Sequence, residues 1–252
     1  MKKSARERSR TVSGDASGTV MLERAIDLHR RGRIADARSA YRAVLAATPG
    51  RFEALQNLGL IEAQAGALDT ALHLFERAAT ARPSEPSAQL NVAVALTQLG
   101  RLAEAVDQFD RVIGIDARNA DAHAGRGNAC LALGRPAAAL ESYDDALALV
   151  FADAETQMNR GTALLDLDRP AEALAGFEAA LAIDPGSLAA HINHATALSE
   201  LGRWSEALAE LDAVLDRDPG SIAALCNRAN VLQSLDRREE ALATYQRVLT
   251  MD

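Results

Sequence analysis

Five asparagines stand at multiples of 34 residues from one another: Asn57, Asn91, Asn159, Asn193 and Asn227. Gly125 holds the place between Asn91 and Asn159, and Glu23 the place before Asn57. A carboxamide carries two N–H donors and an acceptor oxygen, so it can pair with both polar groups of a peptide unit. Asparagine is a mediocre helix former, so local propensity does not ask for it at these places. Asn128 and Asn230 lie three residues beyond Gly125 and Asn227 and widen the series. Duplicated segments also carry the same residue whether or not it is used, and on the sequence both readings stand.

Carboxylates accompany the asparagines. Glu53, Asp121, Glu155, Asp166 and Glu200 project onto the same helical face and are spread over several periods. Spread in this way they form an electrostatic wall and not an acid–base pair. Such a wall favours ligands carrying Lys or Arg, above all near Glu155, Asp166 and Glu200. Arg126, Arg160 and Arg228, with His194 in a fourth period, point at neighbouring helices, where their stems pack and their heads reach acidic residues at the rim. His191 and His194 are one helical turn apart, a spacing that can bind metal, but that helix offers no further ligand at a matching turn. Both histidines are therefore read as structural. Cys130 and Cys226 are 96 residues apart, so neither a disulfide framework nor a zinc site is indicated. No glycine-rich phosphate loop or nucleophile elbow stands out, no cofactor is called for, and the chain is not read as an enzyme.

The elements that carry these residues follow from the period itself. Segments starting at Gly18, Phe52, Pro86, Ala120, Ala154, Leu188 and Ile222 repeat one pattern without insertion. Each reads as two short amphipathic helices joined by a tight turn. Projected at 100° per residue, positions 4, 7, 8 and 11 of a period share one face, and positions 2, 6, 9 and 13 share the opposite one. The asparagines occupy position 6. Position 8 is always Gly or Ala, and position 20, on the second helix, is always Ala: Ala37, Ala71, Ala105, Ala139, Ala173, Ala207 and Ala241. Small residues at both places let the paired helices approach closely. Position 24 supplies a large plug: Tyr41, Phe75, Phe109, Tyr143, Phe177, Leu211 and Tyr245.

The punctuation agrees with the pattern. Gly stands at the mid-period turn in five periods, and Asp168 and Asp236 replace it in two; both types tolerate left-handed backbone. Pro49, Pro83, Pro185 and Pro219 end second helices, whereas Ala117 and Phe151 leave two junctions less firmly set. Asn119, Asp153, Ser187 and Ser221 are placed to cap the next helix.

Charge narrows the partners. The net charge of the chain is −8, and the basic segment Met1–Ser17 carries +3, leaving −11 on the repeats. An acidic surface argues against nucleic acid and against an anionic membrane, since both are bound by basic surfaces. Met1–Ser17 is polar and is expected to be disordered. It lacks the apolar run of a secretory leader, and no stretch is long and apolar enough to span a bilayer, so a cytoplasmic location is expected.

Small residues at positions 8, 20 and 27, a bulky plug at 24 and proline at 32 make Gly18–Asp252 resemble the tetratricopeptide repeat. Position 4 holds no tryptophan, and Glu62 stands where position 11 is otherwise apolar or Cys130. The resemblance implies an all-α, right-handed superhelical solenoid of seven 34-residue helix-turn-helix repeats, its concave wall lined by the first helix of each. It also implies a scaffold that binds an extended peptide or protein segment in that groove. On this reading the peptide-contacting set is Asn57, Asn91, Asn128, Asn159, Asn193, Asn227, Asn230, Glu155, Asp166 and Glu200. Related repeats hold C-terminal carboxylates with a clamp of Lys and Asn. Asn128 and Asn159 resemble its asparagines, but Ala124, Ala189 and Asn193 fill the basic places, so that clamp is not expected. The asparagine series also resembles the repeat arm of protein O-linked N-acetylglucosamine transferases, which leaves open a substrate-recognition region of a larger enzyme. A self-assembling module is the third reading, because the apolar face of the last helix would stand uncovered and end-to-end contact would cover it.

Overall fold

The computed structural model describes residues 18–251. The basic segment expected to be disordered lies outside the described residues. Among those residues there are fourteen helices and no strand. They are α1 (18–30), α2 (Ile34–Ala47), α3 (Phe52–Gln64), α4 (Leu68–Ala81), α5 (Pro86–Gln98), α6 (Leu102–Ile115), α7 (Ala120–Ala132), α8 (Pro136–Leu149), α9 (Ala154–Asp166), α10 (Pro170–Ile183), α11 (Leu188–Glu200), α12 (Trp204–Arg217), α13 (Ile222–Ser234) and α14 (Arg238–Leu249). Each odd-numbered helix packs on the helix that follows it, giving an all-α repeat solenoid. No helix of the described residues is long and apolar enough to cross a membrane.

The described chain forms two compact units, the first ending at Ala117 and the second beginning at Arg118. The division falls at one of the two junctions where the period lacks its proline. In the first unit α4 packs on α5 as well as on α3. In the second, α7, α9, α11 and α13 also lie side by side, so the first helices of four repeats form one continuous row there.

Turn chemistry sets the pairs. Gly66 adopts φ +78°, and Asp168 and Asp236 adopt +57° and +60° at the equivalent turns. The hydrogen bonds are the same in both kinds of turn. Ala67 N–H donates to the Glu62 carbonyl at 2.9 Å, and Arg169 N–H to the Leu164 carbonyl at 2.9 Å. A short polar side chain thus stands in for glycine with the helix-ending geometry intact. The four caps read from the sequence all form: Asn119, Asp153, Ser187 and Ser221 accept from backbone N–H groups of α7, α9, α11 and α13. In the first unit Arg51 and Glu85 precede α3 and α5 without a capping side chain.

The core lies between the helices of each pair and between pairs. The seven position-20 alanines are 0–4% exposed, and the plugs Tyr41, Phe75, Phe109, Tyr143, Phe177 and Leu211 are 0–3% exposed. Where position 8 is glycine, the plug ring lies directly over it. A methyl group built on Gly161 would stand 2.6 Å from the Phe177 ring, and one on Gly127 2.5 Å from Tyr143. Gly161→Ala is therefore expected to cost about 1–3 kcal/mol through forced displacement of that ring. Phe177→Leu in the same chain should recover part of the loss, because the natural pair Ala195 and Leu211 already combines a methyl with a smaller plug. Urea unfolding of the single and double variants checks this; additive losses would show that ring and glycine do not compete for one space.

The charge at position 11 has an answer that only packing supplies. Glu62 is 5% exposed, and its carboxylate accepts from Arg42 Nη2 at 2.9 Å and lies 3.4 Å from Arg38 Nε, both on α2. The departure from the apolar pattern is thus an ion pair between adjacent repeats.

Candidate functional site

The position-6 asparagines do two things at once. Their side chains are half-buried on the free side of the first helices, and all but one donate an amide N–H within the protein. In the first unit Asn57 Nδ2 donates to the Glu53 carbonyl at 2.8 Å, and Asn91 Nδ2 to Gln56 Oε1. In the second, Asn159 Nδ2 donates to Asn128 Oδ1 at 3.1 Å and Asn227 Nδ2 to Thr196 Oγ1 at 3.0 Å. Those two bonds join position 6 of one repeat to position 9 of the repeat before. Asn193 has no hydrogen-bond partner among the described residues. A carboxamide has a second N–H and an acceptor, so Asn159 and Asn227 each keep one N–H and Oδ1 for a ligand. The pattern that looked like either a ligand row or a relic of duplication is in part an inter-repeat tie.

Asn128 and Asn230 belong to a different device. Asn128 Oδ1 accepts from the Tyr143 hydroxyl at 2.7 Å, and Asn230 Oδ1 from the Tyr245 hydroxyl at 2.5 Å. Position 9 is asparagine in the two second-unit repeats whose plug is tyrosine, and threonine where the plug is Phe177 or Leu211. Burial, with smaller contributions from Cys130 and Glu155, raises the Tyr143 phenol above its ordinary value, so it stays protonated and stays a donor. With both lone pairs of Asn128 Oδ1 engaged, Asn128 presents only N–H donors outward. Tyr143→Phe is expected to cost about 0.5–1.5 kcal/mol of stability, the net worth of one hydrogen bond. Thermal unfolding should show it, and a loss many times larger would mean the hydroxyl holds more than Asn128.

The carboxylates separate into paired and unpaired. Glu155, Asp166 and Glu200 are exposed and have no ion-pair partner among the described residues. Glu53 instead lies 2.6 Å from Arg82 and 3.1 Å from Arg51. Burial raises its pKa, but its own backbone N–H and the two arginines outweigh that and hold it below the ordinary carboxylate value. Arg82 also stacks over the Phe52 ring at 4.2 Å. Glu53 is therefore a brace of the first unit, where Glu23 alone of the position-6 residues is an exposed, unpaired carboxylate, whereas Glu155, Asp166 and Glu200 lie together in the second unit.

A cavity of about 110 Å³ opens between α11 and α13, lined by Ala195, Thr196, Ser199, Glu200, Asn227, Asn230 and Val231. It brings together three residues that sequence reasoning assigned to the ligand. The sequence reading missed two neighbours in the first unit. Leu60 and Val94, at position 9, are 39% and 42% exposed beside Asn57 and Asn91. Apolar residues at a position that projects outward were the available signal, and the periodicity argument passed over them.

The remaining candidates are structural ties. Arg160 and Arg228 reach Asp144 and Asp212 at 2.6 Å, each an acidic residue on the second helix of the preceding repeat. Arg126 donates to Ser142 Oγ at 2.6 Å. His191 and His194 do acquire a carboxylate, but from the next helix: Glu210 Oε1 is 2.5 Å from His191 Nδ1 and 3.6 Å from His194 Nδ1. No group of three potential ligands able to hold a metal ion occurs among the described residues. Cys130 is buried and Cys226 half-buried, and neither is in a disulfide.

Comparison with known proteins agrees with the geometry. Family models described as tetratricopeptide repeat match residues 22–86, 68–120 and 125–187, residues 164–225, and residues 222–252. No curated protein matches the chain. Among solved structures, a tetratricopeptide repeat protein from Parabacteroides merdae superposes with a TM-score of 0.72 over 94% of this chain and 93% of its own, at 18% identity. YrrB, a TPR protein with an unusual peptide-binding site, is 24% identical over 71% of this chain and 92% of its own, with a TM-score of 0.61. The MamA protein is 21% identical over 67% of this chain and 92% of its own, with a TM-score of 0.62.

Proposed function

The chain belongs to the tetratricopeptide-repeat family, whose repeats build protein-interaction scaffolds, and from that premise we propose that it holds an extended, Lys- or Arg-bearing segment of a partner protein against α7, α9, α11 and α13. The observation that carries the reading is the set of unpaired carboxylates Glu155, Asp166 and Glu200, exposed on the face where Asn159, Asn193 and Asn227 keep polar atoms free. Unpaired charge on one face attracts the opposite charge and steers its approach. An extended strand rises about 3.3 Å per residue, and packed helices repeat at about 10 Å, so one repeat spans about three ligand residues. The asparagines then meet the ligand backbone and give sequence tolerance, while the carboxylates select basic side chains. The cavity between α11 and α13 suits the tip of one such side chain, with Glu200 at its mouth. In the first unit Asn57 and Asn91, flanked by Leu60 and Val94, offer a face of different taste, suited to apolar ligand side chains. The solved YrrB structure lends this reading support, since it is a peptide-binding protein of the same fold.

The test is a peptide array in which Lys, neutral and Glu residues alternate at three-residue spacing. Binding is expected for the Lys series, weakening as salt rises. Each of Glu155→Gln, Asp166→Asn and Glu200→Gln should lower affinity about 2–5-fold, the range for exposed charge pairs. Equal binding of the Lys and Glu series, or none of either, would sink the proposal.

A further inference from the structure

A basic residue at position 7 meets the acid at position 25 of the repeat before. Arg160 Nε lies 2.6 Å from Asp144, Arg228 Nε 2.6 Å from Asp212, and His194 Nε2 4.0 Å from Glu178. Arg228 has a second acceptor, the hydroxyl of Thr244 at position 23 of its own repeat, which receives Nη1 at 2.9 Å. Arg126 likewise donates to Ser142 at position 23. The guanidinium of Arg228 is thus seated between a carboxylate on one second helix and a neutral oxygen on the next, an arrangement that its planar fork of donors suits.

In the first unit the seat formed by α4, α5 and α6 lacks its cation. Position 25 is Glu76 and position 23 is Gln108, but position 7 is Val92, 5% exposed. Glu76 is exposed and has no ion-pair partner among the described residues. Gln108 is 8% exposed, and its Nε2 donates to Gln89. Gln108 Oε1 accepts from Arg111 Nη1 at 3.1 Å and keeps a second lone pair. These residues line a groove of about 490 Å³, whereas the equivalent groove lined by Arg228 holds about 310 Å³. Glu104 and Asp107 line it too. Arg101 holds Glu104 at 2.6 Å, while Asp107 is exposed and without an ion-pair partner among the described residues. Arg111 bonds to Gln108 and makes no ion pair among the described residues, so the groove keeps two unpaired carboxylates. One repeat earlier Leu58 also replaces a basic residue at position 7, but there position 25 of the repeat before is Arg42, which serves Glu62. That junction leaves no acid waiting.

We propose that the groove over Val92 receives an arginine side chain of a partner protein, its guanidinium bridging Glu76 and Gln108 as Arg228 bridges Asp212 and Thr244. The methylene stem of such a side chain packs on apolar surface, which Val92 supplies. Two acceptors on different helices select a planar fork over the point charge of lysine. The site goes beyond the reading above and does not depend on it, because it lies in the first unit and on the face of α5 opposite Asn91.

Nuclear magnetic resonance of the isotope-labelled full chain, titrated with acetylated and amidated Gly-Gly-Arg-Gly-Gly, tests it. Saturable shifts are expected at the amides of Glu76, Val92 and Gln108. The lysine peptide should bind about 3–10-fold more weakly, the loss of one directed hydrogen bond. The citrulline peptide, which has the same shape and no charge, should leave those signals unmoved. Glu76→Gln should weaken the arginine peptide about 2–5-fold, as for other exposed charge pairs. Val92→Arg fills the seat from within and should abolish the shifts. Should that variant fail to fold, Glu76→Gln, a change at an exposed position, still decides. Equal binding of the lysine or citrulline peptide, undiminished binding by Glu76→Gln, or no saturable shift in the groove overturns the proposal. Shifts confined to the asparagine face of α7, α9, α11 and α13 would overturn it while leaving the earlier reading intact.

Discussion

Arg38→Met together with Arg42→Met is expected to destabilise the first unit by about 3 kcal/mol. Glu62 is 5% exposed, and these two guanidiniums are its partners across the α2–α3 contact. A buried carboxylate stripped of its partners costs about 3–5 kcal/mol. The lower figure applies because the side chain of Arg42 is itself 62% exposed, so part of the pair is already solvated. The control is Glu62→Leu, which removes the charge and supplies the apolar residue that Leu96, Leu164, Leu198 and Leu232 provide at the same place. It should be neutral or stabilising, since replacing an ion pair by packed apolar atoms often is. Hydrogen exchange of α1–α3 amides is the measurement, because repeat proteins open repeat by repeat and the loss should concentrate there. Equal destabilisation by both changes would mean that the pair contributes attraction beyond its burial penalty.

Replacing Asn159, Asn193 and Asn227 together by alanine should weaken binding of a Lys-bearing peptide about 100-fold. Each neutral hydrogen bond contributes about 0.5–1.5 kcal/mol net, so three together reach roughly that factor. The structure refines how this experiment is read. Asn159 and Asn227 also tie adjacent repeats, through Asn128 and Thr196, so the triple variant loses stability as well as contacts. Asn193 has no internal hydrogen bond, and Asn193→Ala alone should lower affinity about 3–10-fold without lowering the unfolding midpoint, which rises slightly because alanine is the better helix former. Calorimetric titration beside thermal unfolding separates the two effects. If the triple variant bound as tightly as the parent, the asparagines would serve the solenoid alone.

The sequence by itself determined the architecture, because repeat proteins are built from local contacts whose pattern recurs. Small residues at positions 8 and 20, a plug at position 24 and turn residues in phase leave one way to pair the helices. Asp168 and Asp236 were legible as turn residues, and the four caps as caps, since each acts within a few residues of itself. The outward face of the first helices followed from 100° per residue. What the side chains on that face do did not follow, because their partners sit 15 residues away on the second helix of the same repeat or 31 residues away in the neighbouring one. Only the tertiary structure showed Asn159 bonded to Asn128 and Asn227 to Thr196, or the hydroxyls of Tyr143 and Tyr245 on the asparagines at position 9. It likewise gave Glu62 its arginines and His191 its glutamate. A polar side chain's role is fixed by whichever group it meets within about 3 Å, and periodicity specifies the face it lies on but not the atom it finds there.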